Sequence, residues 1–297
     1  MQFEQQEEVN LYFHQEATFW KEIYTRGDVY SGIHQQRHER VLEWVEQLGL
    51  KAGSQVLEIG CGAGFLSLAL AERKFDVHAI DSVGAMVEQT RQHVKEAGMT
   101  EQISVDVGDI TSLAFQNESF DLVLAIGVIP WIERPDIAIK EMARVLKPGA
   151  HVILTADNRA RLNIWLDPLR HPLLLPLKRL AKFLLHHSRL RRYSVGDVGS
   201  HFHSSRFIDK NLMSSELVKV KSVTLGFGPF TLFNRSILSD ASGLKLHHRL
   251  QRLAERGIPL FRSTGAQYIA LAQKKPARSF EETTATQKSA SDAASVQ

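Results

Sequence analysis

The sequence contains one cysteine, Cys61, so no disulfide can form within the chain. A reducing compartment is the default that follows. It has no apolar run approaching the roughly 18 residues that a membrane-spanning helix needs. Its first residues, Met1-Gln2-Phe3-Glu4-Gln5-Gln6-Glu7-Glu8, lack the basic and apolar order of a secretory signal. These absences together predict a cytoplasmic location. No Cys/His group has metal-ligand spacing, so no metal site is expected. Acids are scarce in the second half. Residues 158–275 carry 21 Lys/Arg against 6 Asp/Glu, whereas residues 1–157 carry 13 against 24. The net charge of +3 hides this split. It predicts either two faces with different partners or two solvated surfaces that neutralise each other in the fold.

What is present is organised around Val56-Leu57-Glu58-Ile59-Gly60-Cys61-Gly62-Ala63-Gly64. An apolar run enters, three glycines at alternate positions leave, and a helical pattern follows at Phe65. That is a strand, a tight turn and a helix start. Glycine serves where a backbone turns sharply or approaches a ligand closely. Phe75-Asp76-Val77-His78-Ala79-Ile80-Asp81 reads as a second buried strand ending in an acid. An acid about 20 residues beyond a glycine turn is where ribose hydroxyls are gripped in dinucleotide folds. A dinucleotide loop requires G-x-G-x-x-G, however, and here the sixth place holds Phe65.

Further along, Ser82 opens a helix over residues 82–97 with Met86 inward, and a third strand over 103–110 ends in Gly108-Asp109-Ile110. Residues 120–126 form a fourth strand ending at Ile126, residues 133–146 a helix, and residues 150–157 a fifth strand. This rhythm predicts an α/β fold with a parallel sheet and helices on both faces. Its turns then share the carboxyl edge of the strands, so the glycine loop, Asp81, Asp109 and the segment after Ile126 should converge in one crevice. Before this core, residues 11–48 read as helical, with a loop at 24–30 and a helix from Gln36 to Leu48. After it, Pro168, Pro172 and Pro176 break the rhythm. An amphipathic helix from Leu177 then puts leucines on one face and Lys178, Arg179, Lys182 and Arg189 on the other. Residues 205–217 and 244–254 read as helices, and 218–227 and 267–273 as the last strands. The predicted organisation is a helical cap (1–48), a cofactor-binding core (49–157), a basic insertion or lid (158–205), a completion of the sheet (206–275) and a disordered tail (276–297).

The loop pattern E-x-G-x-G-x-G resembles the first motif of class I S-adenosylmethionine-dependent methyltransferases. Val77–Asp81, Gly108-Asp109-Ile110, Phe120-Asp121-Leu122-Val123 and Arg144-Val145-Leu146-Lys147-Pro148-Gly149 match the later motifs. The likeness is strong over residues 40–157 and is nearest to small-molecule enzymes such as those of quinone biosynthesis. It implies a Rossmann-like seven-stranded sheet with S-adenosyl-L-methionine as cofactor. By this resemblance Glu58 orders the loop or holds the cofactor's amino group. Gly60, Cys61, Gly62 and Gly64 lie along its methionine part, and Asp81 accepts both ribose hydroxyls with Ser82 beside it. Asp109 accepts from the adenine amine, with Ile110 and Met86 against the ring, and Ile126 closes the set. The acceptor is expected to be a small or lipid-linked molecule methylated on oxygen. Where many relatives carry a histidine after the fourth strand, this chain has Pro130-Trp131, leaving His201 and His203 as candidate bases.

Nucleic acid is disfavoured as a partner, because the Asn/Asp-Pro-Pro-aromatic motif and a cysteine nucleophile outside the cofactor loop are absent. The basic stretch 159–192, with Trp165 and Leu173-Leu174-Leu175, predicts peripheral contact with an anionic membrane or a plain pocket cover. Two other readings remain open: an RNA or protein methyltransferase gripping through the basic insertion, and a non-catalytic nucleotide-binding module. Oligomeric state is not legible.

Overall fold

Strands β4 (Phe120–Ala125) and β5 (Leu146–Asp157) read as continuous apolar runs because both of their faces are covered. Val123, Ala125, Val152, Leu154 and Ala156 join one buried cluster, while Leu122, Leu124 and Ile153 join another on the opposite side. Alternate side chains of a strand point to opposite faces, so burial on both faces removes the usual polar alternation. The computed structural model describes residues 2–24, 26–174 and 201–276.

The other strands are β1 (Gln55–Ile59), β2 (Asp76–Asp81), β3 (Ile103–Val107), β6 (Leu217–Leu225), the short β7 (Thr231–Leu232) and β8 (Arg235–Ser236), and β9 (Gln267–Lys274). One sheet has the order β3-β2-β1-β4-β5-β9-β6. The first five strands run parallel, and β9 inserts antiparallel to both β5 and β6. This is the seven-stranded Rossmann-like sheet expected from the sequence. Helices α3 (Val29–Gln47), α4 (Phe65–Glu72) and α5 (Gly84–Glu96) cover one face through Val41, Trp44, Leu70 and Val87. Helices α6 (Pro135–Val145) and α8 (Ser205–Ser214) cover the other through Ile139, Met142, Ile208 and Leu212. Helix α9 (Asp240–Glu255) packs on α3, and α7 (Leu162–Leu166) follows β5. Strand order reverses between β1 and β4, which opens a crevice at their carboxyl ends.

Three local differences from the sequence reading have physical causes. Helix α3 begins at Val29 and not at Gln36, because Asp28 caps it by accepting from the Ser31 N–H at 2.8 Å. Two more turns of helix therefore face the crevice. The third strand stops at Val107, and the Gly108 N–H turns to the Asp81 carbonyl at 3.0 Å. Helices α1 (Gln2–Gln15) and α2 (Ala17–Glu22) precede α3, so the helical region starts earlier than residue 11. The amphipathic helix expected from Leu177 and most of the tail lie outside the described residues.

Asp167, fully buried, joins the turn after α7 to the β7–β8 hairpin. Its carboxylate accepts from the Leu169, Phe233 and Asn234 N–H groups at 2.9, 3.1 and 3.0 Å and from the Thr231 hydroxyl at 2.6 Å. Asp167→Ala leaves these donors unpaired. It should lower stability by about 3 kcal/mol, the scale of losing hydrogen bonds to a charged group. Urea unfolding of the variant and the parent measures this, and an unchanged midpoint refutes it.

Candidate functional site

The loop between β1 and α4 is pinned before any ligand is considered. The Gly60 and Cys61 N–H groups both donate to the Ile80 carbonyl, at 2.7 and 3.1 Å. The Gly62 N–H donates to Asp81 Oδ2 at 3.0 Å, and the Val83 N–H to Oδ1 at 2.9 Å. Each carboxylate oxygen of Asp81 thus keeps a lone pair for another donor. Gly64 has φ 81°, and a Cβ there would lie 2.8 Å from the Thr90 methyl. A side chain at Gly64 meets both backbone strain and a clash.

A cavity of about 540 Å³ opens at this carboxyl edge. Its walls include Glu58, Gly60, Cys61, Gly62, Asp81, Ser82, Met86, Asp109, Ile110 and Ile126, brought together from β1, β2, β3, β4 and α5. Gly64 does not line it but serves as the N-cap of α4. Nor do the rings of His201 and His203. The backbone of that segment is tied to the rim, His201 N–H to the Pro130 carbonyl at 2.6 Å and His203 N–H to the Asp157 carbonyl at 2.9 Å. The His203 ring stacks on Phe207 with centroids 5.0 Å apart.

Burial governs the ionisable groups. Glu58 is enclosed and accepts from the Ser67 hydroxyl. Burial pushes its carboxyl up to about 8, the Ser67 hydrogen bond opposes this, and the charge of Asp81 adds to it. Glu58 is therefore mainly protonated at neutral pH and acts as a hydrogen-bonding strut. Burial also raises Asp81, against the hydrogen bonds from Val83 and Gly62. The Cys61 thiol is pushed well above its ordinary value by burial and by Glu58 and Asp81, and sits 3.6 Å from the Thr90 hydroxyl. A thiol so held is a poor nucleophile. Asp109 Oδ1 accepts from the Thr111 N–H and hydroxyl, both at 2.8 Å, which leaves Oδ2 available.

The opposite wall was only partly anticipated from the sequence. Tyr30, His34, Arg37 and Val41 of α3 line it at helical spacing, together with Phe13 of α1, Trp20 of α2, Trp131, Asp157 and Gln267. The signal was available as the stripe 30, 34, 37, 41, but the expected loop at 24–30 cut it short. Tyr12 and Phe13 close on Trp131 at ring distances of 5.7 and 5.0 Å, and Phe13 meets Trp20 at 5.6 Å. The Ser82 hydroxyl donates to Asn10 at 3.2 Å, which holds α1 over the cavity. His34 Nδ1 lies 2.9 Å from the Tyr30 carbonyl, and burial followed by the charge of Arg37 lowers its pKa to about 3. Tyr30 is raised to about 12, chiefly by burial.

A family profile described as a methyltransferase domain matches residues 57–154. Residues 57–154 thus carry a methyltransferase domain, in the stretch whose motifs resemble those of the class I, S-adenosylmethionine-dependent enzymes. It is 33% identical over 137 residues to the ubiquinone biosynthesis O-methyltransferase of Pseudomonas aeruginosa, an alignment covering 45% of this chain and 57% of that protein. It is 30% identical over 135 residues to the biotin biosynthesis bifunctional protein of Teredinibacter turnerae, covering 43% and 24%. The chain thus spans little more than half the length of the first and about a quarter of the second. In fold, the methyltransferase domain and its flanking elements resemble the magnesium protoporphyrin IX methyltransferase of Synechocystis with bound SAH. The TM-score is 0.60 at 18% identity, over 90% of this chain and 98% of that one. A putative methyltransferase of Haloferax volcanii, solved with its Trm112 activator, gives 0.58 at 15% identity, over 89% and 97%.

Among the described residues no helix is long and apolar enough to cross a membrane, and no group of three or more side chains could hold a metal ion.

The state of Glu58 gives a pH signature. Its folded value lies above the unfolded one, so the stability it contributes is full below about 4.5, declines as pH rises and levels off above about 8. Glu58→Gln keeps the shape and removes the titration. Chemical unfolding from pH 4 to 9 should show the parent losing ground against the variant across that window. Parallel profiles would refute the assignment.

Proposed function

We propose that this domain transfers a methyl group from S-adenosyl-L-methionine to a hydroxyl oxygen of a small or lipid-linked acceptor. The observation that carries the reading is one cavity with two unlike ends. Asp81, Asp109, Ile110 and the glycine loop form the first, and the aromatic wall of Phe13, Trp20, Tyr30 and Trp131 forms the second. The residues fit the cofactor. Asp81 has one lone pair left on each oxygen for a vicinal diol, and Asp109 Oδ2 suits an amine donor beside Ile110. Gly60, Cys61 and Gly62 let the backbone approach the methionine part, with Ser82 beside the ribose, Met86 on the adenine side and Ile126 closing the set. Arg37, buried beside Gly127, offers a positive charge at the end of β4.

The cofactor supplies a methyl on a sulfonium, open to in-line attack. The chain's work is positioning and exclusion of water. Tyr12, Phe13 and Trp131 stack into a cover that holds α1 against the sheet edge. In this reading residues 1–48 act as a cap, 49–157 and 206–275 form the cofactor-bearing sheet, and 158–205 are an insertion or lid. The likeness to ubiquinone O-methyltransferases supports oxygen as the target and a small-molecule acceptor. Mass spectrometry of extracts from cells with and without the protein, fed labelled methionine, tests for the acceptor. Calorimetry should show binding of S-adenosylmethionine and none of NAD. Asp81→Ala should weaken the former by about 1.5–3 kcal/mol, and unchanged affinity would remove Asp81 from the site.

We further propose that the protein is cytoplasmic and makes peripheral contact with an anionic membrane. Trp165, Leu166, Leu169, Leu173 and Leu174 are exposed, and the sequence after them is rich in Lys and Arg. Exposed apolar side chains followed in sequence by a basic stretch suit a headgroup boundary. Liposome sedimentation should favour anionic over neutral vesicles, fall with salt and weaken in Lys178→Glu/Arg179→Glu/Lys182→Glu. Equal sedimentation of variant and parent, or none, would leave the segment a pocket cover.

A further inference from the structure

The cavity holds four carboxyl groups, and three are engaged. Glu58 accepts from Ser67, Asp81 from Gly62 and Val83, and Asp109 from Thr111. The fourth, Asp157, is the last residue of β5 and lines the acceptor end. Its side chain accepts no hydrogen bond from the described residues, and burial raises its pKa against the opposing charges of Arg161 and Arg37. Arg37 lines the same cavity from α3 with 7% of its surface exposed, and its Nε is buried without a hydrogen-bond partner. Arg161 stands behind, its guanidinium 4.1 Å from the Phe202 ring centroid, with its Nε likewise unpartnered. Both cations act on Asp157 through space, and neither pairs with it at contact distance. A half-buried carboxylate and a buried guanidinium in one cavity that do not touch leave a gap between an acceptor and a donor.

The other two α3 groups that line the cavity near Asp157 carry no charge at neutral pH. Tyr30, on α3, is neutral to about 12, and His34, on the same helix, is neutral down to about 3. Gln267 faces Asp157 across the β5–β9 ladder and keeps a buried, unpartnered Oε1. From the 201–203 segment, His203 is held below its ordinary value by burial and by His201, and the two reach Asp157 and Pro130 through their backbone. Two guanidinium groups and one carboxylate therefore leave one positive charge in surplus, which favours an ionised oxygen between them.

We propose that Asp157 is the catalytic base that takes the proton of the acceptor's hydroxyl, with Arg37 holding the oxygen as it becomes negative. This rests on the methyl-transfer reading above. The proton passes from the acceptor O–H to the Asp157 carboxylate, and the freed oxygen pair forms the bond to the methyl carbon. The carbon–sulfur bond breaks with its electrons staying on sulfur, which changes from a cation to a neutral thioether. The Asp157 proton returns to water after the ether leaves. The pocket's aromatic wall makes a ring-borne hydroxyl the fitting acceptor class.

Catechol and 4-nitrocatechol test the assignment, because the nitro group makes the second probe ionise in neutral buffer without help. In Asp157→Asn, methylation of catechol should fall by at least ~100-fold, the scale of a lost general base. Methylation of 4-nitrocatechol should fall by no more than about threefold, since no proton has to be taken. Asp157→Glu should recover most of the catechol rate. Calorimetry with S-adenosylhomocysteine should give the same affinity for Asp157→Asn as for the parent. Equal losses with both probes, or no loss with either, overturn Asp157 as the base. So does a parent that binds S-adenosylhomocysteine yet methylates neither probe. Failure of the parent to bind S-adenosylhomocysteine overturns the methyl-transfer reading itself.

Discussion

The contact on which the rest of the site depends is between the Asp81 carboxylate and the backbone of the glycine loop. Asp81 ends β2 and Gly62 lies in the turn after β1, so one hydrogen bond fixes the distance between two strand ends. The Ile80 carbonyl takes two further N–H groups from the same turn. Thr90 of α5 completes the arrangement from the far side, donating its hydroxyl to the Gly62 carbonyl at 2.7 Å while its methyl closes off Gly64. Strand, turn and helix therefore have little freedom relative to one another. A cavity edged by such a turn is shaped before a ligand arrives, which lowers the entropy lost on binding.

The two halves of the cavity differ in how clearly the sequence announces them. The end lined by the glycine loop is contiguous in motif. Glu58, Gly60, Gly62, Asp81, Asp109 and Ile110 each sit at a strand end, and a parallel sheet gathers strand ends by topology alone. The opposite end is assembled from α1, α2, α3, β5 and β9, between Phe13 and Gln267 in sequence. No local pattern encodes that gathering. Tyr30, His34 and Arg37 are spaced as a helical stripe, yet polar residues on a stripe read as a solvated face unless their burial is known. Burial was the missing quantity. The parallel core and the antiparallel β9 were legible because buried strands reveal themselves by continuous apolar runs. The start of α3 was not, since it turns on the single cap at Asp28.

The same burial sets the chemical character of the two ends. Around Glu58, Cys61 and Asp81, acids crowd one another and burial raises all three. Glu58 and the thiol are therefore held neutral. Across the cavity, Arg37 and Arg161 outnumber Asp157 and favour negative charge. Anionic groups are drawn towards that side before any contact fixes their orientation.

The excursion after β5 leaves and returns at a single point. Asn158 and His203 form a bridge, the Arg159 N–H donates to the His203 carbonyl, and the Asn158 side chain donates to the Ser263 and Gly265 carbonyls at 2.8 Å. The chain between is thus a closed loop whose ends meet whatever lies inside it. Closing such a loop costs only about 0.6 kcal/mol more for each doubling of its length. Segments of different length or composition can be exchanged at this bridge without disturbing the register of β5 and β9. The fold therefore treats the two regions differently: the sheet end that carries the glycine loop is locked by its turns, and the segment between Asn158 and His203 is joined to the sheet at its two ends.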